Sequence, residues 1–95
     1  MSSDWHLAVD PTGKIVHYFG KGDALGRQWR DVLIGWETDE DAFNIALQNR
    51  KPFSRIKGVL HADGVNCRVE FSGRPQYSET GEYLGYLGIV HDISI

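Results

Sequence analysis

The segment from Tyr83 to Ile93 constrains this chain more than any other. Its alternate positions are apolar on both sides, with Leu84, Tyr86 and Val90 on one and Leu87, Ile89 and Ile93 on the other, and Gly85 and Gly88 set between them. A strand that is apolar on both faces belongs in the middle of a sheet and is expected to be covered on each side. The rest of the chain must supply its neighbours. Ninety-five residues suffice for one hydrophobic core and not for two, so those neighbours lie in the same small domain, which dimerisation would help to stabilise.

The neighbours are legible as further elements. Trp5, Leu7 and Val9 alternate with His6 and Ala8, and Asp10-Pro11-Thr12-Gly13 then supplies turn chemistry, so a hairpin leads into Ile15–Phe19. Gly20-Lys21-Gly22-Asp23 breaks that second strand. Leu25, Trp29, Val32, Leu33 and Trp36 recur at helical spacing, with Gly26 and Gly35 dividing the stretch into short pieces. Thr38 followed by Asp41 resembles a capping box, and Asp39, Glu40 and Asp41 suit the positive end of a helix dipole, so a helix of about three turns is expected from there to about Asn49, before Pro52. Phe53–Leu60, with Ile56, Gly58 and Leu60 on one side, and the strand carrying Cys67, Val69 and Phe71 flank the tight-turn pair Asp63-Gly64. Ser78-Glu79-Thr80-Gly81 turns the chain into the final strand.

Composition removes several classes of function. Ten basic residues against thirteen acidic give a net charge of −3, without the positive field that attracts nucleic acid or anionic lipid. A single Cys forms no internal disulfide, no Cys/His pair falls at zinc spacing, and no apolar run approaches the roughly 20 residues of a membrane span. A cytoplasmic setting is expected. Glycine is in excess, at 11 residues of 95 against about 7% in an average protein. Most of these glycines fall at turns, but Gly58, Gly73, Gly85 and Gly88 sit inside strands, where they mark bulges, close backbone approach or open space.

Set in this order, Pro52-Phe53, Asp63-Gly64, Ser72-Gly73-Arg74-Pro75, Gly81, Gly85-Tyr86-Leu87-Gly88 and Asp92-Ile93-Ser94 resemble the second half of a bacterial PAS domain. Asp10-x-x-Gly13-x-Ile15 and Leu25-Gly26 are similar to its first half, so the resemblance spans nearly the whole chain. It implies an α+β fold: a five-stranded antiparallel sheet in the order 2-1-5-4-3, with short helices and one longer helix over one face, enclosing a small pocket. It also implies one sensory or dimerising module over residues 1–95, excised from a longer signalling protein, with an output domain after Ile95. A histidine kinase is the first expectation for that output and a diguanylate cyclase or phosphodiesterase the next. The module itself is not expected to be an enzyme, and no nucleophile–base pair or carboxylate cluster shares one expected face.

The expected sites follow. Trp36, Phe43, Leu47, Ile56, Cys67, Val69, Phe71, Tyr86 and Gly88 are candidates to line the pocket, where Gly88 would leave room, and the opposing reading is that these side chains fill the core. An unidentified small organic ligand is the cofactor alternative. Light-sensing members carry a flavin-reactive Cys on a short central helix and haem-binding members a His on the longer helix. This chain has no Cys between Gly20 and Asn49 and no His from Asp39 to Asn49, which argues against both. Cys67 reads as a small buried hydrophobe, and His6, His17, His61 and His91 as surface residues rather than metal ligands. Asp92, Ile93 and Ser94 are the expected signal-output motif, and Trp5, Leu87, Ile89 and Ile93 the expected homodimer surface.

Overall fold

The architecture comes from a computed structural model that describes residues 4–62 and 64–93. Two helices and six strands follow the chain order β1 (Trp5–Val9), β2 (Ile15–Phe19), α1 (Trp29–Val32), β3 (Leu33–Gly35), α2 (Glu37–Gln48), β4 (Phe53–Ala62), β5 (Val65–Tyr77) and β6 (Tyr83–Asp92). The strands make one antiparallel sheet in the order β2-β1-β6-β5-β4-β3. The first and last long strands therefore pair in the middle, with Leu7 opposite Gly88. Among the described residues no helix is long and apolar enough to cross a membrane.

The expected five strands become six because the helical spacing of Trp29, Val32, Leu33 and Trp36 covers two different elements. One turn of helix ends at Val32, and Leu33, Ile34 and Gly35 then alternate buried, exposed, buried as an edge strand on β4. Glycine makes that edge possible. A Cβ on Gly58 would lie 2.0 Å from the Ile34 carbonyl oxygen, so the two backbones meet where a side chain would otherwise stand.

Helix α2 begins at Glu37, with Trp36 at the cap position and no side-chain cap, rather than on Thr38. Its acidic first turn is used differently. The Glu40 carboxylate accepts the Gly35 N–H at 2.6 Å and the Asp39 carboxylate accepts the Lys57 N–H at 2.8 Å, which ties the helix start to β3 and β4. The helix ends at Asn49 as its sequence requires, and Arg50 takes a left-handed φ of 51° so that the Lys51 N–H can donate to Ala46 O at 2.9 Å.

The β1–β2 turn is built by Asp10, whose Oδ1 accepts from Thr12 N, Thr12 Oγ1 and Lys14 N at 2.9, 2.6 and 3.0 Å. The Thr12 hydroxyl, ahead of the backbone bonds, holds the Asp10 carboxyl below its ordinary range. Helices and core lie against one face only. Trp5, Leu7, Val9, Val69, Phe71, Tyr86 and Val90 point into that core. The expectation that β6 is covered on both sides is corrected here, since Ile89 on the other face is 49% exposed. Leu84 does not continue the Tyr86–Val90 face either. The register shift that pairs Tyr77 with Tyr83 and Gln76 with Gly85 leaves Leu84 outside the ladder and exposed.

Gly85 fixes that irregularity. Its φ is +114°, and an added Cβ would lie 1.9 Å from Val9 O. Gly81 also has a positive φ, +86°, but open space around it. Urea unfolding of Gly85→Ala is expected to show a loss of about 3 kcal/mol or more, from backbone strain and the clash together, whereas Gly81→Ala loses only about 1–2 kcal/mol.

Candidate functional site

Five rings from five elements meet between the helices and the sheet: Trp29 of α1, Phe43 of α2, Phe53 of β4, Phe71 of β5 and Tyr86 of β6. Phe43 stands edge-on to Trp29, Phe53 and Phe71 at centroid distances of 5.5, 5.0 and 5.1 Å, and Tyr86 lies 5.3 Å from Trp29. These are the offset and edge-to-face geometries that aromatic rings prefer. Of the expected pocket residues, Phe43, Ile56, Val69, Phe71 and Tyr86 are buried in this core, and Leu47 and Cys67 pack against it half-buried. Phe43, Ile56, Val69 and Phe71 stand apart from three depressions in the surface of the described residues. Leu47 and Tyr86, with Trp29, border one of these depressions, and Gly88, with Leu7 and Phe53, borders another.

Gly88 belongs to the same packing. A Cβ there would stand 3.1 Å from Leu7 Cδ1, so the space above the glycine is taken by Leu7. Trp36 joins no part of the ring cluster; its indole lies 4.7 Å from the Arg68 guanidinium and borders a depression with Thr38, Asp39 and Lys57. Trp29 and Phe53, which sequence reasoning did not place in the pocket, close the cluster in their stead. Burial pushes the Cys67 thiol above its ordinary value, with Asp92 adding to the effect, which disfavours the reactive thiolate.

Tyr86 brings a hydroxyl to the cluster. Its hydroxyl reaches Lys51 O at 2.9 Å and Ala46 O at 3.2 Å, so a residue of the central strand occupies the carbonyls at the end of α2. Desolvation, with smaller effects from Tyr83 and Tyr77, pushes its pKa up to about 12.

The opposite face of the sheet is open. Cross-strand pairing sets its side chains in rows: Phe19, His6, Ile89 and Ser72 in one, His17, Ala8, Leu87 and Arg74 in the next, and His91, Glu70 and Lys57 on the other side of the first. A groove of about 550 Å³ runs over the first two rows. Phe19 is 68% exposed there, and it was missed because β2 was read as a strand without its facing being assigned. Trp5, expected on this surface, is 5% exposed on the other face, because it alternates in step with the core residues Leu7 and Val9. Leu87 is half-buried and Ile89 exposed, as a surface stripe requires.

Beyond this face, Asp92 pairs with Val69 at the end of the β5–β6 ladder and Ile93 follows it, its N–H donating to Arg68 O at 3.0 Å. Ser94 lies outside the described residues. Beside them the His91 ring Nδ1 and Asp4 Oδ1 are 2.7 Å apart, so β1 enters where β6 leaves. A second depression, of about 430 Å³, lies between the β1–β2 turn, both helices and β6, with Gln28, Arg30, Asn44 and Gln48 on its polar side and Leu47 and Tyr83 on its apolar side. The Arg30 guanidinium donates to Asn44 Oδ1 across it. Among the described residues no three His, Cys, Asp or Glu side chains come together as a metal-binding group.

Two consequences are measurable. Phe43→Ala removes the central ring and is expected to cost about 3–5 kcal/mol in thermal or denaturant unfolding. Tyr86 titrates from 10.0 in the unfolded chain towards about 12 in the folded one, so it favours folding below pH 10, and that contribution is lost as the pH rises through 12. Unfolding free energies should therefore fall more steeply from pH 10 to 12 in the wild type than in Tyr86→Phe; parallel curves would refute the assignment.

No protein-family model and no curated protein matches this chain. Solved structures do. A PAS domain from Colwellia psychrerythraea superposes with a TM-score of 0.66 at 24% identity, covering 96% of this chain and 86% of that one. The light-state dimer of the fungal blue-light photoreceptor Vivid gives 0.73 at 15% identity, covering 97% and 79%, and the light-state aureochrome1 LOV domain gives 0.72 at 14%, covering 98% and 83%. The agreement extends over the whole sheet and its helical layer, and on it this chain has the PAS fold.

Proposed function

We propose that this chain is a sensory signal-transduction module that pairs with a second copy through the open face of its sheet and passes a change in that pairing along β6 to an attached output domain. The observation that carries the reading is the position of β6. It lies between β1 and β5, sends Tyr86 and Val90 into the core and Leu87 and Ile89 onto the open face, and ends at Asp92-Ile93. A displacement on either face of the sheet therefore reaches the segment that leaves the domain. The resemblance to PAS modules makes a histidine kinase the proposed output, with Asp92-Ile93-Ser94 as the joint. The domain itself acts by shape, with no catalytic step.

The filled interior favours transmission through packing over capture of a ligand between helices and sheet. A second reading, a small-molecule sensor, is favoured only by the 430 Å³ depression beside α1 and α2. Vivid and aureochrome1 are blue-light photoreceptors by name. Cys67 lies on β5, whereas the resemblance places a flavin-reactive cysteine on a short central helix.

Light scattering of the purified chain is the direct test, with dimer expected at high protein concentration and monomer for Ile89→Arg at unchanged circular dichroism. A wild-type chain that stays monomeric at millimolar concentration would refute the reading. Absorbance and mass spectrometry after denaturation are expected to show no bound molecule. A stoichiometric ligand would favour the small-molecule reading instead.

A further inference from the structure

The open face is not uniform, and its charges restrict how two copies can meet. The inference rests on the pairing reading above and adds its geometry. The row Phe19, His6, Ile89 and Ser72 contains two exposed large apolar side chains, at 68% for Phe19 and 49% for Ile89. On β5, Arg74 lies two residues to one side of Ser72 and Glu70 two residues to the other, each about 7 Å away along the strand. Among the described residues the side chain of neither forms a hydrogen bond or ion pair within the chain. The face thus carries Phe19 and Ile89 in one row, with Arg74 on one side and, at equal distance on the other, Glu70 between Lys57 and His91.

A pattern of this kind is complementary to itself under one rotation. We propose that two copies pack face to face about a two-fold axis that runs along the Phe19–Ile89–Ser72 row, across the strands. In that arrangement Phe19 and Ile89 each meet their own copy, and Arg74 of one chain faces Glu70 of the other twice over. The competing two-fold axis runs along β6. It stacks Leu87 and Ile89 on themselves, but it sets Asp4 over Glu70 of the second copy and takes Phe19 away from any apolar partner. Like charges set opposite each other in an interface are penalised, and complementary ones fix its register. Sheets packed this way lie about 10 Å apart, within reach of an Arg and a Glu.

The test is a charge exchange between two variants. Arg74→Glu alone sets Glu against Glu in both symmetry-related contacts, and Glu70→Arg alone sets Arg against Arg. Each variant is expected to weaken self-association about tenfold or more at low salt. Mixed in equal amounts, the two variants restore both pairs, so a heterodimer of near wild-type affinity is expected in analytical ultracentrifugation, with unchanged thermal melts as the control for folding. Loss of dimer in Ile89→Arg with no effect of either charge variant would overturn the axis and leave the pairing reading standing. Tighter association of Glu70→Arg would also overturn it, in favour of the axis along β6. A wild-type monomer would remove the pairing reading itself, and this geometry with it.

Discussion

The hydroxyl of Tyr86 joins the two layers of the domain. Its ring is one of five that fill the space between helices and sheet, and its oxygen reaches the Lys51 and Ala46 carbonyls at the end of α2. The Ala46 carbonyl also accepts the Lys51 N–H, so the hydroxyl is a second donor there and the donor to Lys51 O, and a buried hydroxyl left without an acceptor would cost about 1–3 kcal/mol. A central strand that bonds to these carbonyls fixes both the height of the helix above the sheet and the point where it stops. The left-handed Arg50 that follows, with its guanidinium 4.1 Å above the Tyr83 ring, returns the chain towards β4 at that same point.

With the helix held there, the aromatic packing decides the character of the site. Phe43, Phe53, Phe71 and Tyr86 arrive from four elements, with Phe43 edge-on to Phe53 and Phe71 and Tyr86 tilted against Phe53, and Leu7 fills the space over Gly88. On the outer face of the sheet, His6, His17 and His91 stand among Phe19, Leu87 and Ile89.

Much of the architecture could be read from the chain, because it depends on local alternation and turn chemistry. Trp5, Leu7 and Val9 announce one face of a strand and Asp10 to Gly13 its turn, and the doubly apolar β6 announces a central position. Trp5 was nonetheless assigned to the outer surface, although its period-two agreement with Leu7 and Val9 already put it with the core. Other features have no local signal. Asp39 and Glu40 look like ordinary residues of a helix start, yet their acceptors are filled by N–H groups of β4 and β3, which only the folded chain brings near. The edge strand Leu33–Gly35 depends on the bare backbone of Gly58, more than twenty residues later. Whether the core rings fill or line a pocket was likewise undecidable from composition, since it turns on the mutual angles of Trp29, Phe43 and Phe53.

The contact between Asp4 and His91 has a mechanical consequence. It sits where β1 begins and β6 ends, and these strands are antiparallel neighbours in the centre of the sheet. Tension applied through the two flanks would load this ladder from its end, one hydrogen-bonded pair after another, in the manner of a zipper rather than in shear. Opening would start at that exposed pair and run inward towards Leu7 and Gly88. The pair at the two ends of the described sheet is thus also the point from which its central seam would part.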